Sequence, residues 1–380
     1  MPIPIALRTA AIQSPARAAS RSTRRLAGLI VRAYDAHARI EVSGDHYSGR
    51  PMNLDLDLDR VPLGEGPTPV RELTHLGSEG GQAPVWIKDD GEYSPFGGNK
   101  VRKLEWLLAD ARRRGARTVI TGGALATNHG LATARVASRL GMKTVLVLVP
   151  QPQSDHVRRQ LERLRESGAE LHLPRGRWRA YALSAWLLAR HTGLPLRPPY
   201  PLLPGGSTPR GCVGYVLASF ELARQITAGE APEPSHVVAP VGSGGTVAGL
   251  LAGLKLAGLG SRPVGVLVND LTPMSDRKVA RLARRTIAFL RRHGADISTP
   301  ALSAADLDFE RGAMGDGYGH ATPEGDHATA LLRDREGVGL DPVYTAKAMA
   351  ALLDLNHRGA FGAGPVLFWH TYKEPTGSRR

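Results

Sequence analysis

Residues 96–103 of the chain read Phe-Gly-Gly-Asn-Lys-Val-Arg-Lys, a glycine turn that leads into a helical pattern. Lysine is scarce, with 8 lysines among 49 basic residues, yet Lys100 and Lys103 stand three positions apart here. An amine nucleophile has to be lysine, because the guanidinium of arginine does not deprotonate in proteins. Lys100 is therefore a candidate covalent anchor for an aldehyde cofactor. The alternative is a solvated lysine pair on the first turn of a surface helix.

Three further sequence blocks strengthen the first interpretation. The four blocks, in chain order, are Pro95–Glu105, Gly122–His129, Gly242–Thr246 and Leu340–Met349. Together they resemble the 1-aminocyclopropane-1-carboxylate deaminase and D-cysteine desulfhydrase family of pyridoxal-phosphate enzymes, and the resemblance runs from about Val61 to Thr371. It implies the tryptophan-synthase-β-like fold, fold type II, with pyridoxal 5'-phosphate held in a cleft as a Schiff base on Lys100.

The hydrophobic pattern independently indicates an α/β fold. Short apolar runs alternate with helical patterns, as in parallel sheets that have helices on both faces. Strands are predicted at Arg117–Thr121, Lys143–Val149, Ala169–Leu173, His236–Pro240, Pro263–Val268 and Pro365–His370. Helices are predicted at Gly130–Leu140, Asp155–Ser167, Val247–Leu256 and Arg277–His293. The resemblance implies two lobes, and we expect a large cofactor-binding domain at 51–102 and 212–380 and a small inserted α/β domain at 103–211.

The block Gly242-Ser243-Gly244-Gly245-Thr246 follows an apolar strand and precedes an apolar helix. Glycines leave backbone N–H groups open to a phosphate, and a helix N-terminus adds favourable partial charge. The alternative is a plain tight turn, since the block is neither a P-loop nor a full dinucleotide motif. Paired with Lys100, a phosphate cradle is the better interpretation. The resemblance implies that Lys103 contacts the same phosphate.

The block Thr127-Asn128-His129 lies where a predicted strand ends, and such strand ends bind ligands in open α/β sheets. The resemblance implies that Asn128 contacts the cofactor ring oxygen. Thr127 occupies the family's usual Ser position, near the substrate carboxylate or in proton transfer, and the alternative is a simple helix cap. Here Ala126 replaces a common Gln, and Gly130-Leu131 replaces a bulkier residue followed by Arg. We therefore expect an altered carboxylate end of the pocket.

Two further positions complete the predicted site. Thr371 ends the last predicted strand, where its hydroxyl is expected to meet the pyridine nitrogen, and Tyr372 follows where the family has Gly. Tyr318, between two glycines, resembles the family's substrate-side tyrosine, and a structural loop tyrosine is the alternative. The predicted substrate-binding residues are thus Thr127, Asn128, His129 and Tyr318.

Composition excludes several other classes of protein. The net charge of +14 comes from scattered arginines, and an aromatic fraction of 5% offers no evident base-stacking platform, so we expect no nucleic-acid partner. No apolar run is long enough to span a bilayer, and we expect no membrane partner. The single cysteine, Cys212, predicts a small buried side chain, and no metal site is expected. We expect residues 1–50 to form a basic extension, in which Arg24–Ile40 has the pattern of an amphipathic helix. We also expect the chain to be a cytoplasmic homodimer.

The chain is therefore predicted to be a lyase or deaminase acting on a small amino acid, with D- and β-substituted ones among the candidates. Lys100 would move the α or β proton, and the products would be a 2-keto acid and ammonia. One alternative is a β-replacement synthase that uses the same aminoacrylate intermediate. A second alternative is a non-catalytic regulatory relative, against which the presence of Lys100 argues.

Overall fold

The computed structural model of the chain describes residues 43–45, 51–53, 56–193 and 197–373. The predicted helix at Arg24–Ile40 lies outside the described residues. Within them, no helix combines the length and the apolarity that crossing a membrane requires. The architecture is α/β, with two separate sheets of parallel strands and a short antiparallel pair.

The elements alternate along the chain as predicted. The strands are β1 (Ser43–Asp45), β2 (Pro51–Asn53), β3 (Val70–Glu72), β4 (Val85–Asp89), β5 (Thr118–Ala124), β6 (Lys143–Val149), β7 (Glu170–His172), β8 (Tyr200–Pro201), β9 (His236–Val241), β10 (Arg262–Leu267), β11 (Asp308–Glu310) and β12 (Val366–His370). The α-helices are α1 (Asn99–Arg113), α2 (Asn128–Arg139), α3 (Asp155–Glu166), α4 (Arg177–Arg190), α5 (Pro209–Thr227), α6 (Gly245–Leu256), α7 (Asp276–Arg292), α8 (Pro323–Glu336) and α9 (Thr345–His357).

The larger sheet has six strands in the order β11-β10-β9-β12-β4-β3, and only β3 runs antiparallel to its neighbour. Its central strand β12 is buried along its whole length. One face packs on a core that includes α5, α6 and α7, and the other face packs on a core that includes α8 and α9. Burial on both faces explains the nearly continuous apolar runs of β9 and β12.

The smaller sheet has four parallel strands in the order β7-β6-β5-β8. All four fall within residues 103–211, the segment expected to form the inserted domain. Helix α1, however, runs without a break through the predicted boundary at residue 103. The division into domains stays a prediction.

The predicted α/β class is confirmed, and so are the predicted elements that fall within the described residues. Strand β6 has the predicted bounds, and the other predicted strands and helices agree within three residues at each end. Cys212 is fully buried, as predicted, and its Sγ donates to the carbonyl of Gly245 over 3.2 Å. Burial raises the pKa of this thiol to about 11, which leaves it protonated and unreactive at neutral pH.

A buried ion cluster fixes α1 in the interior. The guanidinium of Arg102 donates to Asp90 Oδ1 over 2.8 Å and to Glu221 Oε2 over 3.0 Å. Lys88 Nζ donates to the other Glu221 oxygen over 2.6 Å, and Trp369 Nε1 donates to Asp90 Oδ2 over 2.8 Å. Burial alone would raise the pKa of Glu221, but the charges of Arg102 and Lys88 hold it at about 2. Glu221 therefore stays ionised, and the cluster joins α1, α5, β4 and β12.

Removing Arg102 should destabilise the protein strongly. Arg102→Met would leave Asp90 and Glu221 buried with one cation between them, which typically costs about 3–5 kcal/mol. Urea unfolding followed by circular dichroism measures this loss. The control is Arg333→Met, which removes an exposed ion pair with Asp334 and should leave the unfolding transition close to that of the wild type. Equal losses in the two variants would contradict a structural role for the cluster.

Candidate active site

The turn before Lys100 is held by three other parts of the fold. A Cβ on Gly98 would lie 2.3 Å from the Asp90 carbonyl oxygen and 2.5 Å from that of Thr371, so only glycine fits. Asn99 donates its backbone N–H to the Thr371 carbonyl over 2.9 Å and its side-chain Nδ2 to Thr246 Oγ1 over 3.2 Å. The sequence blocks at 95–105 and 242–246 and the end of β12 therefore meet at the first turn of α1.

Lys100 and Lys103 project from the face of α1 opposite to Arg102. Lys100 Nζ lies 5.8 Å from the ring centroid of Tyr344 and has no hydrogen-bond partner among the described residues. Burial lowers the pKa of Lys100 to about 8, against the opposing charge of Asp341. Burial and the neighbouring Lys100 lower the pKa of Lys103 to about 7. Two neighbouring amines in a buried region favour the binding of an anionic ligand. Because its pKa is lowered, Lys100 also loses its proton readily near neutral pH.

The glycine block forms a loop between β9 and α6. Gly244 is left-handed with a φ of 80° and precedes the first residue of α6, so the loop N–H groups surround the helix N-terminus. Ser207 approaches from the other side: its Oγ lies 2.7 Å from Ser243 Oγ and accepts from the Gly245 N–H over 3.1 Å. Lys103 Nζ donates to the Gly205 carbonyl over 3.4 Å. Donors from three segments thus converge on one small volume.

These residues fit a phosphate-bearing aldehyde. The loop leaves no room for side chains, because a Cβ on Gly245 would lie 2.5 Å from Ser207 Oγ and one on Gly205 would lie 2.0 Å from Ser243 Oγ. The same volume offers hydroxyls, N–H groups and the Lys103 amine, which are donors that a phosphate dianion requires. Lys100 supplies the amine that an aldehyde requires, one turn from Lys103 on the same helix.

The block at 127–129 begins α2. Thr127 is its N-cap, and its Oγ1 accepts from the Gly130 N–H over 3.1 Å, so its own hydroxyl proton is available to a ligand. The Asn128 Oδ1 accepts from Gln160 Nε2 over 2.7 Å, which leaves the Asn128 Nδ2 as the free end of that amide. The helix cap that was the alternative for Thr127 is present, and it is compatible with a role toward a ligand.

His129 is buried beside the two lysines. Its Nε2 lies 3.3 Å from Thr121 Oγ1, and its Cε1 lies 3.7 Å from the position of a Cβ on Gly206. Burial and the charges of Lys100 and Lys103 lower the pKa of His129 well below its ordinary value. This histidine is therefore a neutral group in the wall of the site.

Two tyrosines form the opposite wall. The hydroxyls of Tyr318 and Tyr344 lie 2.8 Å apart, and their rings pack edge to face with centroids 5.9 Å apart. Both belong to a hydrophobic cluster that includes Ala124, at the end of β5 in the other sheet. Burial raises the pKa of Tyr318, and burial with the neighbouring Tyr318 raises that of Tyr344 well above its ordinary value. The pair is protonated at neutral pH and lies next to Lys100.

The end of β12 packs against the turn that precedes Lys100. Thr371 is buried, and its carbonyl is the one that accepts from Asn99. Tyr372 lies against the turn, with ring atoms 3.6 Å from the position of a Cβ on Gly97. These two residues and Asn128 border the same edge of the site, where a cavity of about 200 Å³ is lined by Phe96, Gly97, Asn128 and Tyr372, among others.

The structure therefore brings the predicted site residues into one region between the two sheets. Four nearby side chains were not predicted from the sequence, namely Gln151, Gln160, Ser207 and Tyr344. Ser207 ends the run Pro204-Gly205-Gly206-Ser207, whose glycines precede a helix and were a usable signal. Tyr344 stands inside a recognised block without having been assigned to the site. No group of three or more His, Cys, Asp or Glu side chains within the described ranges could hold a metal ion.

The pair Thr127 and Gly130 should be energetically coupled. A Cβ on Gly130 would lie 2.5 Å from Thr127 Cγ2, so Gly130→Ala alone should lower stability by about 1–3 kcal/mol through overpacking. In a Thr127→Ser background that methyl group is absent, and the same change should cost at least about 1 kcal/mol less. Thermal unfolding of the four proteins measures the coupling, and additive effects would contradict it.

Comparisons with known proteins agree with this arrangement. Residues 61–371 match a family model described as pyridoxal-phosphate dependent enzyme. The chain is 34% identical to the D-cysteine desulfhydrase of Klebsiella pneumoniae, covering 83% of this chain and 94% of that protein. It is 35% identical to the D-cysteine desulfhydrase of Salmonella choleraesuis, covering 86% and 97%. A crystal structure of an ACC deaminase homologue superposes with a TM-score of 0.70 at 31% identity, covering 83% and 92%.

Proposed function

Because this chain belongs to the family of pyridoxal-phosphate dependent enzymes, we propose that it is a lyase or deaminase that converts a small amino acid into a 2-keto acid and ammonia. The observation that carries the proposal is the position of Lys100, which lies between the glycine loop and the tyrosine pair with a pKa of about 8. The similarity to D-cysteine desulfhydrases and to an ACC deaminase homologue supports the choice of reaction.

We assign the cofactor to residues around α1. Lys100 would hold its aldehyde carbon, and Lys103 with the loop Gly242-Ser243-Gly244-Gly245-Thr246 would hold its phosphate. Asn128 Nδ2 would donate to the ring oxygen, since Gln160 already occupies the Asn128 Oδ1. Thr371 would face the pyridine nitrogen with a neutral hydroxyl. When bound, the cofactor supplies an electron sink for the bonds at the substrate α-carbon.

The residues of this chain would then move protons. With a pKa of about 8, Lys100 spends a substantial fraction of time as a neutral amine near neutral pH and can accept a proton from the substrate. Tyr344 is a further proton carrier beside Lys100, and its hydrogen bond to Tyr318 holds its hydroxyl oxygen in place. The buried walls exclude water from this region and strengthen each of these interactions.

Thr127 is proposed to act on the substrate rather than on the cofactor. Its hydroxyl proton is available, and it lies where the unpaired N–H groups of the first turn of α2 favour a carboxylate. This assignment makes Thr127 either the donor to the substrate carboxylate or a link in proton transfer.

A β-replacement synthase is the second candidate, and one observation favours it. The cavity of about 200 Å³ beside Asn128 and Tyr372 offers space for a second substrate at the edge of the site. A non-catalytic relative is disfavoured, because it has no need for a lysine with a lowered pKa. We also propose that the protein is a cytoplasmic homodimer.

The assignment of Lys100 as the lysine that binds the cofactor can be tested directly. The purified protein should be yellow, with a visible band from the lysine-bound cofactor. Lys100→Ala should lose that band, whereas Lys103→Ala should keep it with weaker cofactor affinity. The exposed Lys143→Ala is a matched control and should behave as the wild type. Borohydride reduction followed by peptide mapping identifies the modified lysine, and a label elsewhere than Lys100 would refute the assignment.

The reaction type can be tested with D-cysteine and β-chloroalanine. An elimination enzyme should release ammonia and a 2-keto acid without a second substrate. If Thr127 transfers a proton or holds the carboxylate, Thr127→Val should slow release at least roughly a hundredfold, since acid–base roles are typically worth about 10²–10⁴. Thr127→Ser should stay near wild type.

The synthase alternative predicts a different result in the same assay. Keto acid would then appear slowly, and an added thiol or amine would be incorporated into a new amino acid.

A further inference from the structure

Gln151 lies between the loop after β5 of the smaller sheet and the segment that carries Tyr318. It follows β6 by two residues and is 9% exposed. Its Oε1 accepts from the backbone N–H of Ala126 over 2.9 Å, in the loop between β5 and α2. Gln151 therefore reaches from one strand end to the loop that carries Thr127 and Asn128.

The other end of the same amide faces the second wall. A Cβ on Gly319 would lie 3.1 Å from Gln151 Nε2, and Gly319 has a φ of +91°, so this approach requires glycine. Gly319 directly follows Tyr318, whose hydroxyl contacts Tyr344. In the part of the chain that the structure describes, Gln151 Nε2 has no hydrogen-bond partner. A free amide donor thus lies between the loop that carries Thr127 and the pair of tyrosines, Tyr318 and Tyr344.

The orientation of the amide follows from its partner. An N–H group donates, so the atom facing Ala126 has to be the oxygen, and the NH₂ group has to face away from the loop. The Ala126 N–H is occupied by this bond and is unavailable to a ligand. Ala126 itself has no polar side chain, so the side-chain amide beside this part of the loop is that of Gln151.

The chemistry of the surrounding wall points to a carboxylate. Leu131, which follows the Thr127 loop in α2, is buried and apolar and brings no positive charge to this wall. The donors left near the loop are neutral, namely the Thr127 hydroxyl, the first N–H groups of α2 and Gln151 Nε2. Neutral donors at a helix N-terminus favour a single negative charge without a counter-cation.

We propose that Gln151 is a specificity residue whose Nε2 donates to the α-carboxylate of the amino-acid substrate. The proposal rests on the function proposed above, since that function supplies a substrate with this group. It makes Gln151 responsible for selecting amino acids over simple amines, while Lys100 and the glycine loop act on the cofactor.

Two small reagents test the proposal without knowledge of the natural substrate. Aminooxyacetate and methoxyamine both displace a lysine from the cofactor aldehyde and remove its visible band, and only aminooxyacetate carries a carboxylate. The ratio of their second-order rate constants therefore reports recognition of the carboxylate. The variants are Gln151→Ala and Gln151→Glu, and Gln153→Ala is the control, since Gln153 is an exposed glutamine in the same loop.

The ratio should fall about tenfold in Gln151→Ala, which corresponds to one hydrogen bond to a charged group. It should fall further in Gln151→Glu, because a carboxylate there keeps the bond from Ala126 and repels the reagent. The methoxyamine rate should stay unchanged in all variants, and Gln153→Ala should match the wild type. Because Gln151→Glu retains the Ala126 contact, it also serves if Gln151→Ala fails to fold.

Two outcomes would overturn the proposal while leaving the proposed function intact. An unchanged ratio in both variants would show that Gln151 does not recognise the carboxylate. A wild-type ratio in Gln151→Glu with a lowered ratio in Gln151→Ala would show that Gln151 only positions the loop. A wild-type protein whose visible band survives both reagents would instead refute the cofactor assignment, and this inference with it.

Discussion

The bond network of Arg102 with Asp90 and Glu221 is the constraint on which the site depends. Its members come from a strand end, from α1 and from α5, so the network closes only when these elements are correctly assembled. A buried charge without a partner costs several kcal/mol, which allows α1 only one rotation about its axis. That rotation decides what the opposite face of α1 presents, namely Lys100 and Lys103. The packing of Arg102 between Asp90 and Glu221 thereby sets the direction of the reactive amine.

The second feature of the site is that each of its walls belongs to a different part of the fold. The glycine loop follows β9, the tyrosines come from the segments that precede α8 and α9, and the Thr127 loop follows β5 of the smaller sheet. Ala124 belongs to the same hydrophobic cluster as both tyrosines, so the smaller sheet reaches the site at the end of β5. The phosphate cradle likewise combines two parts of the fold, because Ser207 follows β8 and bonds to the loop after β9.

Many of the strands, helices and site residues could be predicted from the sequence, and the reasons are physical. Strand β6 has the predicted bounds because a parallel strand buried on both faces leaves an uninterrupted apolar run. Helix α5 was not predicted, because its glycines, alanines and Cys212 are buried on several sides and leave no helical period. Gln151 and Gln160 make their contacts with residues 25 and 32 positions away. A polar side chain that reaches so far leaves no local pattern, so only the folded chain reveals it.

The contact between Thr127 and residue 130 bears on how this chain diverged from its relatives. With an alanine at 130, the threonine methyl would occupy space already filled, whereas a glycine at 130 is compatible with either serine or threonine at 127. The order of the two substitutions therefore matters. Glycine at position 130 can precede threonine at position 127 without a clash, whereas threonine beside an alanine at position 130 would be overpacked. A single methyl group at the start of α2 thus makes one substitution conditional on the other.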